Sequence, residues 1–126
     1  MKSIITFWVG RYRAFGYALK GVTDFFKNHD PAKVHILAFV GMALIAWYLD
    51  FAMWKWIIFF LCSGLVLATE ALNTAIEYIV DLVSPEYHEL AGKAKDMAAA
   101  AVFFTALFSA IIAGLMIWDE FFAFGV

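Results

Sequence analysis

The sequence predicts an all-α integral membrane protein: three transmembrane helices preceded by an N-terminal amphipathic helix lying in the membrane interface. Three observations predict it. The composition is 65% hydrophobic and only 16% charged, whereas soluble domains are roughly 45–50% apolar and about 25% charged. The chain has 126 residues, one domain (1–126), and a soluble domain that small buries too little of itself to hide so much apolar surface. The apolar residues also gather into three runs, at 34–49, 52–69 and 97–118. Each is close to the roughly 20 residues, range about 17–25, that a membrane-crossing helix needs. In lipid a segment must satisfy its own backbone hydrogen bonds, so the runs are helices and not strands.

The elements follow in order. Over residues 3–28, Ile5, Trp8, Tyr12, Phe15, Leu19, Val22 and Phe26 recur at alternating spacings of three and four, one apolar stripe on a helix. Arg11, Arg13, Lys20, Asp24 and Lys27 fall between them, as befits an interfacial helix. An amphipathic helix packed on protein is the other reading. The first span is expected over 31–50, where Asp30 suits a helix cap and Pro31 a first turn. The second, expected over 52–83, continues past the apolar run and stops before Ser84-Pro85. The third is expected over 89–119. The opening "MKSIITFWVGRYR" reads as mature protein. Its apolar core, Ile4 to Val9, is shorter than the roughly 7–15 residues of a secretory signal, and no small-residue cleavage pattern follows.

Charge sets the expected orientation. Eight of the 9 lysines and arginines precede the first span or lie between the second and third, and Lys55 alone lies between the first and second. The positive-inside rule then puts the N-terminus and the 82–96 loop in the cytoplasm and the C-terminus outside, with Trp118, Phe121, Phe122 and Phe124 as an outer aromatic anchor. The net charge of −2 gives no case for nucleic acid as a partner. The single cysteine, Cys62, reads as a small residue in an apolar helix.

The stretch "EALNTAIEYIVD", residues 70–81, carries the chemistry. At about 100° per residue, Asn73, Thr74, Glu77 and Asp81 return to within roughly 60° of Glu70, so the second helix bears one polar stripe. Trp54 marks the outer interface, which places Glu70 roughly 24 Å further on, just inside the inner edge of a core about 30 Å thick. Ionisable groups at that depth are costly and functional by default. Mg²⁺ takes oxygen ligands and bridges carboxylates to phosphates, and the nearby "SPEYHELAGKAKD" supplies further acids and lysines. Together these suit phosphoryl transfer, although neither a P-loop nor a G-x-G-x-x-G motif is present. Two other readings fit the same residues: a proton or ion pathway or transporter subunit, and a structural polar seam between helices.

"EALNTAIEYIVD" followed by "SPEYHELAGKAKDMAAAAV", with a weaker match through "RYRAFGYALKG", resembles the prokaryotic diacylglycerol kinase family, which includes undecaprenol kinases. The resemblance covers residues from about 11 to 118. It implies a homotrimeric inner-membrane enzyme that transfers the γ-phosphoryl of MgATP to a lipid alcohol. By its motif Glu70 is the general base, Asn73 its polar partner and Glu77 a Mg²⁺ ligand that also faces ATP. Tyr17, Glu86, Tyr87, His88, Lys95 and Asp96 are the nucleotide contacts, joined by Arg11 or Arg13. Ala14 and Lys20 join Glu70 at the lipid. One position departs from the family: His29, beside Asp30, stands where a second metal-binding glutamate is usual, and histidine suits Zn²⁺ better than Mg²⁺. His35 reads as a polar contact at a helix start rather than as a metal ligand. "YHELAGKAKDM" is similar to diacylglycerol kinases of Gram-negative bacteria, while "LVSPEYH" and "KVH" are closer to undecaprenol kinases. Diacylglycerol is expected first, undecaprenol second.

Overall fold

The computed structural model describes residues 4–123. Lys2, Ser3 and Phe124, which entered the charge, helix-start and aromatic-anchor expectations, lie outside the described residues. Four helices follow one another: α1 (Ile4–Asn28), α2 (Asp30–Tyr48), α3 (Met53–Val83) and α4 (Glu89–Ala123). The described residues are therefore all-helical, and α2, α3 and α4 are each long and apolar enough to cross a membrane. At 1.5 Å per residue α2 measures about 28 Å, α3 about 46 Å and α4 about 52 Å. A hydrocarbon core is about 30 Å thick, so α3 and α4 have turns to spare for carrying polar residues beyond it.

The chain divides into two compact units, Met1–Lys33 and Val34–Val126. In the first, α1 presents its apolar stripe to the surroundings: Ile5, Trp8, Tyr12, Phe15, Leu19 and Val22 are all exposed, and only Phe25 is buried. Asn28 donates to Asp24 at 2.6 Å near the C-terminus of α1. Asp30 is the first residue of α2, and its carboxylate pairs with Lys33 at 2.7 Å.

The second unit is built on α3 and α4. Its core gathers Ala46 from α2, Phe51 from the α2–α3 turn, Phe59 from α3 and Met116 from α4. Phe39 stacks on Phe59, with ring centroids 5.0 Å apart. The turn explains the sharp reversal between α2 and α3. Asp50 takes a left-handed conformation (φ 52°), which aspartate tolerates better than most residues. The Phe51 N–H then reaches the Ala46 carbonyl at 3.0 Å and the Asp50 N–H the Trp47 carbonyl at 3.2 Å. This is a Schellman closure, and its usual apolar contact is made by Phe51 over Ala46.

Beside that turn lies an ion cluster. Lys55, in the first turn of α3, is 2% exposed. Its ammonium binds Asp119 at 2.7 Å, Glu120 at 2.6 Å and the Met116 carbonyl at 3.2 Å, all on α4. The rings of Phe51 and Trp54 lie 5.2 and 5.4 Å from the same nitrogen, close enough for cation–π attraction. A buried lysine without such partners would be prohibitive. Antiparallel α3 and α4 bring these partners within reach, although more than sixty residues separate them in sequence.

The cluster predicts an order of effects. Lys55→Met leaves Glu120 without its cation and should destabilise the fold by about 2–4 kcal/mol, read by thermal or denaturant unfolding in detergent micelles. Asp119→Asn, at a more exposed carboxylate, should cost less than about 1 kcal/mol. Equal effects of the two would mean that burial of the lysine does not set the energy.

Candidate active site

The polar stripe of α3 begins seventeen residues after Met53 and remains helical throughout. Glu70, Asn73 and Thr74 are buried, at 5%, 9% and 7% exposed, and Glu77 is half-buried. Asn73 donates its amide N–H to a Glu77 carboxylate oxygen at 3.0 Å. That bond fixes the orientation of the amide and leaves Asn73 Oδ1, a buried oxygen, with no hydrogen-bond partner. Buried polar atoms are almost always satisfied, so an orphan of this kind calls for an explanation.

A second helix meets the stripe. His35 on α2 places Nε2 3.9 Å from Glu70 Oε2, with the two side chains 22% and 6% exposed. One residue before the carboxylate, the Thr69 hydroxyl lies 2.9 Å from that of Thr105 on α4, and each hydroxyl also reaches carbonyls of its own helix. Glu70 is thus held where all three long helices contribute. Below His35 an apolar cavity of about 200 Å³ opens among α2, α3 and α4, lined by small and apolar side chains such as Ala38, Cys62, Val66, Ala110 and Met116.

Further along α3, Asp81 pairs with Lys95 of α4 at 2.5 Å. The α3–α4 connection carries Glu86, Tyr87 and His88, all exposed, Tyr87 at 93%. The Ser84 hydroxyl donates to the Glu86 carbonyl at 3.1 Å. His88 caps α4, its Nδ1 accepting the Leu90 N–H at 3.2 Å. Asp96 is exposed on α4. Among the described residues no contact joins Glu86, Tyr87, His88 or Asp96 to Glu70. In the first unit Arg11, Arg13, Ala14, Tyr17 and Lys20 are exposed on α1, and the Arg11 guanidinium lies 5.6 Å from the Phe7 ring centroid. His29, the one residue between α1 and α2, faces Asp24 with 3.9 Å between imidazole and carboxylate, and stacks on Phe25. Among the described residues no three His, Cys, Asp or Glu side chains converge as a ready metal site.

A profile of prokaryotic diacylglycerol kinase matches residues 16–117. The chain belongs to the prokaryotic diacylglycerol kinase family. The undecaprenol kinase of Bacillus subtilis is 35% identical to it over 107 residues, covering 85% of this chain and 86% of that one. The diacylglycerol kinase of Escherichia coli is 34% identical over 109 residues, 86% and 89% of the two chains. That of Pseudomonas aeruginosa is 37% identical over 90 residues, 71% and 73%. Membership makes this chain a membrane-bound lipid kinase, and phosphoryl transfer from ATP comes with the family. The matched segment runs from the middle of α1 to near the end of α4 and includes every residue named above on α3.

Periodicity found the stripe but not its partners. The His35–Glu70 approach joins residues on different helices, and the lone histidine of α2 was the sole clue to it. The Thr69–Thr105 contact had no signal beyond two threonines in apolar runs. The Asp81–Lys95 pair is accessible on both sides, and such pairs contribute little. Asp81→Asn should therefore leave stability within about 1 kcal/mol of the parent, checked by unfolding in micelles.

Proposed function

We propose that the protein transfers the γ-phosphoryl group of MgATP to the hydroxyl of a membrane lipid, with diacylglycerol as substrate and undecaprenol as the second reading. The observation that carries the proposal is Glu70: a buried carboxylate, on one face with Asn73 and Glu77, close to the end of an apolar cavity that reaches His35. A lipid hydroxyl can approach such a carboxylate while its chain stays in apolar surroundings. A proton pathway needs neither the nucleotide nor the lipid, and family membership weighs against it.

Glu70 acts as general base. It takes the hydroxyl proton as the lipid oxygen attacks the γ-phosphorus and the bond to the β-phosphate oxygen breaks, with ADP leaving. Much of the rate comes from holding the reactants in line and neutralising charge. The donors fit Mg²⁺, which prefers hard oxygens and keeps some of its water. Glu77 and the unpartnered Asn73 Oδ1 would hold it, and when bound it neutralises phosphate charge. His29, already facing Asp24, is the weaker ligand in this reading, and Asp30 is committed to Lys33. Arg11 or Arg13, Tyr17, Glu86, Tyr87, His88, Lys95 and Asp96 contact the nucleotide. Lys95 exchanges Asp81 for phosphate as it does so. Ala14 and Lys20 flank the lipid.

The larger setting belongs to the same proposal. The enzyme lies in the bacterial inner membrane, N-terminus in the cytoplasm and C-terminus outside. The uncovered apolar stripe of α1 supports its placement in the membrane interface. The broad exposed apolar surface of the second unit leaves room for both lipid and neighbouring subunits, in keeping with a homotrimer.

Three outcomes are expected. Glu70→Gln should lower kcat by about 10²–10⁴ while the protein keeps its assembly state, and near-normal turnover would remove Glu70 as the base. Glu77→Gln should raise the Mg²⁺ concentration needed for half-maximal activity, read by metal titration. Purified enzyme with MgATP, offered diacylglycerol and undecaprenol side by side, should phosphorylate diacylglycerol faster. Phosphorylation of neither lipid would defeat the proposal.

A further inference from the structure

Glu70 can serve as a base only while its carboxylate points at the lipid hydroxyl. That direction is set by the rotation of α3 about its own axis. A side-chain end lies roughly 5–6 Å from a helix axis, so a turn of about 10° carries the carboxylate about 1 Å sideways. A misplacement of about 1 Å can cost on the order of 10² in rate. The rotation has to be fixed close to Glu70.

Polar side chains tie α3 to α4 near both ends and in between. Lys55 binds Asp119 and Glu120 at one end, and Asp81 binds Lys95 at the other. Glu70 lies fifteen residues from the first tie and eleven from the second, about 22 and 16 Å along the axis. Both ties run through a lysine stem, flexible enough to swing with a rotating helix. The tie between them is of another kind. The Thr69 and Thr105 hydroxyls meet at 2.9 Å, and both residues are half-buried. A threonine hydroxyl sits one bond from Cβ, and a β-branched side chain is stiff about χ1. The backbone pins both further. Thr69 reaches the Leu65 and Val66 carbonyls at 3.0 and 2.9 Å, and Thr105 those of Ala101 and Val102 at 3.1 and 2.9 Å. Contact between two such groups is close to contact between the backbones themselves. Thr69 also precedes Glu70 by one residue, about 100° round the helix. With Thr69 turned to α4, Glu70 is turned to α2, where His35 Nε2 lies 3.9 Å from its carboxylate.

We propose that Thr69 and Thr105 are positioning residues: their hydroxyl contact sets the rotation of α3 and so aims the Glu70 carboxylate. The proposal rests on the reading of Glu70 as general base. The contact adds little to stability. Each hydroxyl keeps carbonyls of its own helix when the other is removed, so no polar atom is stranded. Its effect on orientation is bounded as well. A bond biases one orientation over another by no more than its own strength, which for hydrogen bonds between membrane helices amounts to about 3–20-fold.

The test is kcat and the KM for MgATP, per folded enzyme, for the full chain in lipid vesicles with diacylglycerol. Thr69→Val and Thr105→Val each replace a hydroxyl by a methyl of similar size. Each should lower kcat by about 3–20-fold. KM for MgATP should stay within about twofold, and the thermal midpoint within a few degrees of the parent. The double variant should lose no more than the worse single one, because both remove the same bond. Thr69→Ser and Thr105→Ser keep the hydroxyl and should hold kcat within about twofold of the parent. Parental kcat in both valine variants overturns the proposal. An equal loss in the serine and valine variants does so too, since the methyl rather than the hydroxyl then matters. A merely structural contact predicts a lower thermal midpoint with kcat per folded enzyme unchanged, and that result also overturns it. Should a valine variant fail to fold, Thr105→Ala, on the helix that does not carry Glu70, is read by the same outcomes. Glu70→Gln separates the two readings. In that background Thr105→Val should change the residual rate by less than about twofold, as no base remains to be aimed, and a full further loss overturns the proposal. An inactive Glu70→Gln with parental kcat in the valine variants defeats the threonine role alone, whereas an active Glu70→Gln defeats the base reading and this inference with it.

Discussion

Taking a carboxylate out of water costs several kcal/mol unless other groups compensate, and the second unit is organised around that cost at Glu70. The residue is almost wholly buried, and the imidazole 3.9 Å from it lines the apolar cavity among the three long helices. Three helices meet at its height: α3 carries it, α2 brings an imidazole, and α4 braces the preceding residue, Thr69, through Thr105. The opposite end of the α3–α4 pair solves the same problem with the sign reversed. There a buried lysine is the expensive group, and Asp119 and Glu120 are its compensation.

The two solutions differ in completeness, and the difference separates structure from chemistry. Lys55 is fully occupied, with two carboxylates, a carbonyl and two aromatic faces around one ammonium. Such a site has nothing left to offer a ligand and serves to fix the helices. The site at Glu70 is left unfinished. Its imidazole neighbour stops at 3.9 Å, and the Asn73 side-chain oxygen one turn away has no hydrogen-bond partner. Stability would favour closing both gaps. Gaps of this kind leave room for the hydroxyl and the polyphosphate that a lipid kinase must admit.

How much of this was legible in the sequence follows from the range of each interaction. Helices were plain, because apolar runs and stop signals are local. The face shared by Glu70, Asn73 and Glu77 was plain too, because 3.6-residue periodicity is a property of one helix. Family resemblance then attached a reaction to that face, and the profile match bears out the family. What stayed hidden depends on how helices pair. His35 looked like an ordinary polar residue at a helix start until α2 met α3. Lys55 counted only as the odd charge in an orientation argument, and Asp119 and Glu120 drew no notice at all, since nothing local joins residue 55 to residue 120. Asp50 gave no hint of its left-handed backbone, because an aspartate in a short connection fits several turn types.

The unbroken course of α3 sets a length. Glu70 lies fifteen residues beyond Lys55, about 22 Å along the helix axis at 1.5 Å per residue. The interval is α-helical throughout and contains no proline, so the spacing between the Lys55 ion cluster and the Glu70 carboxylate is set by the helix. A bilayer is less constant: its thickness varies with composition by a few ångströms, and a helix accommodates that by tilting or by deforming the lipid around it rather than by stretching. α3 is thus a ruler laid across the membrane. Lipid of the wrong thickness has to bend toward Glu70, since the carboxylate cannot be drawn out to meet it.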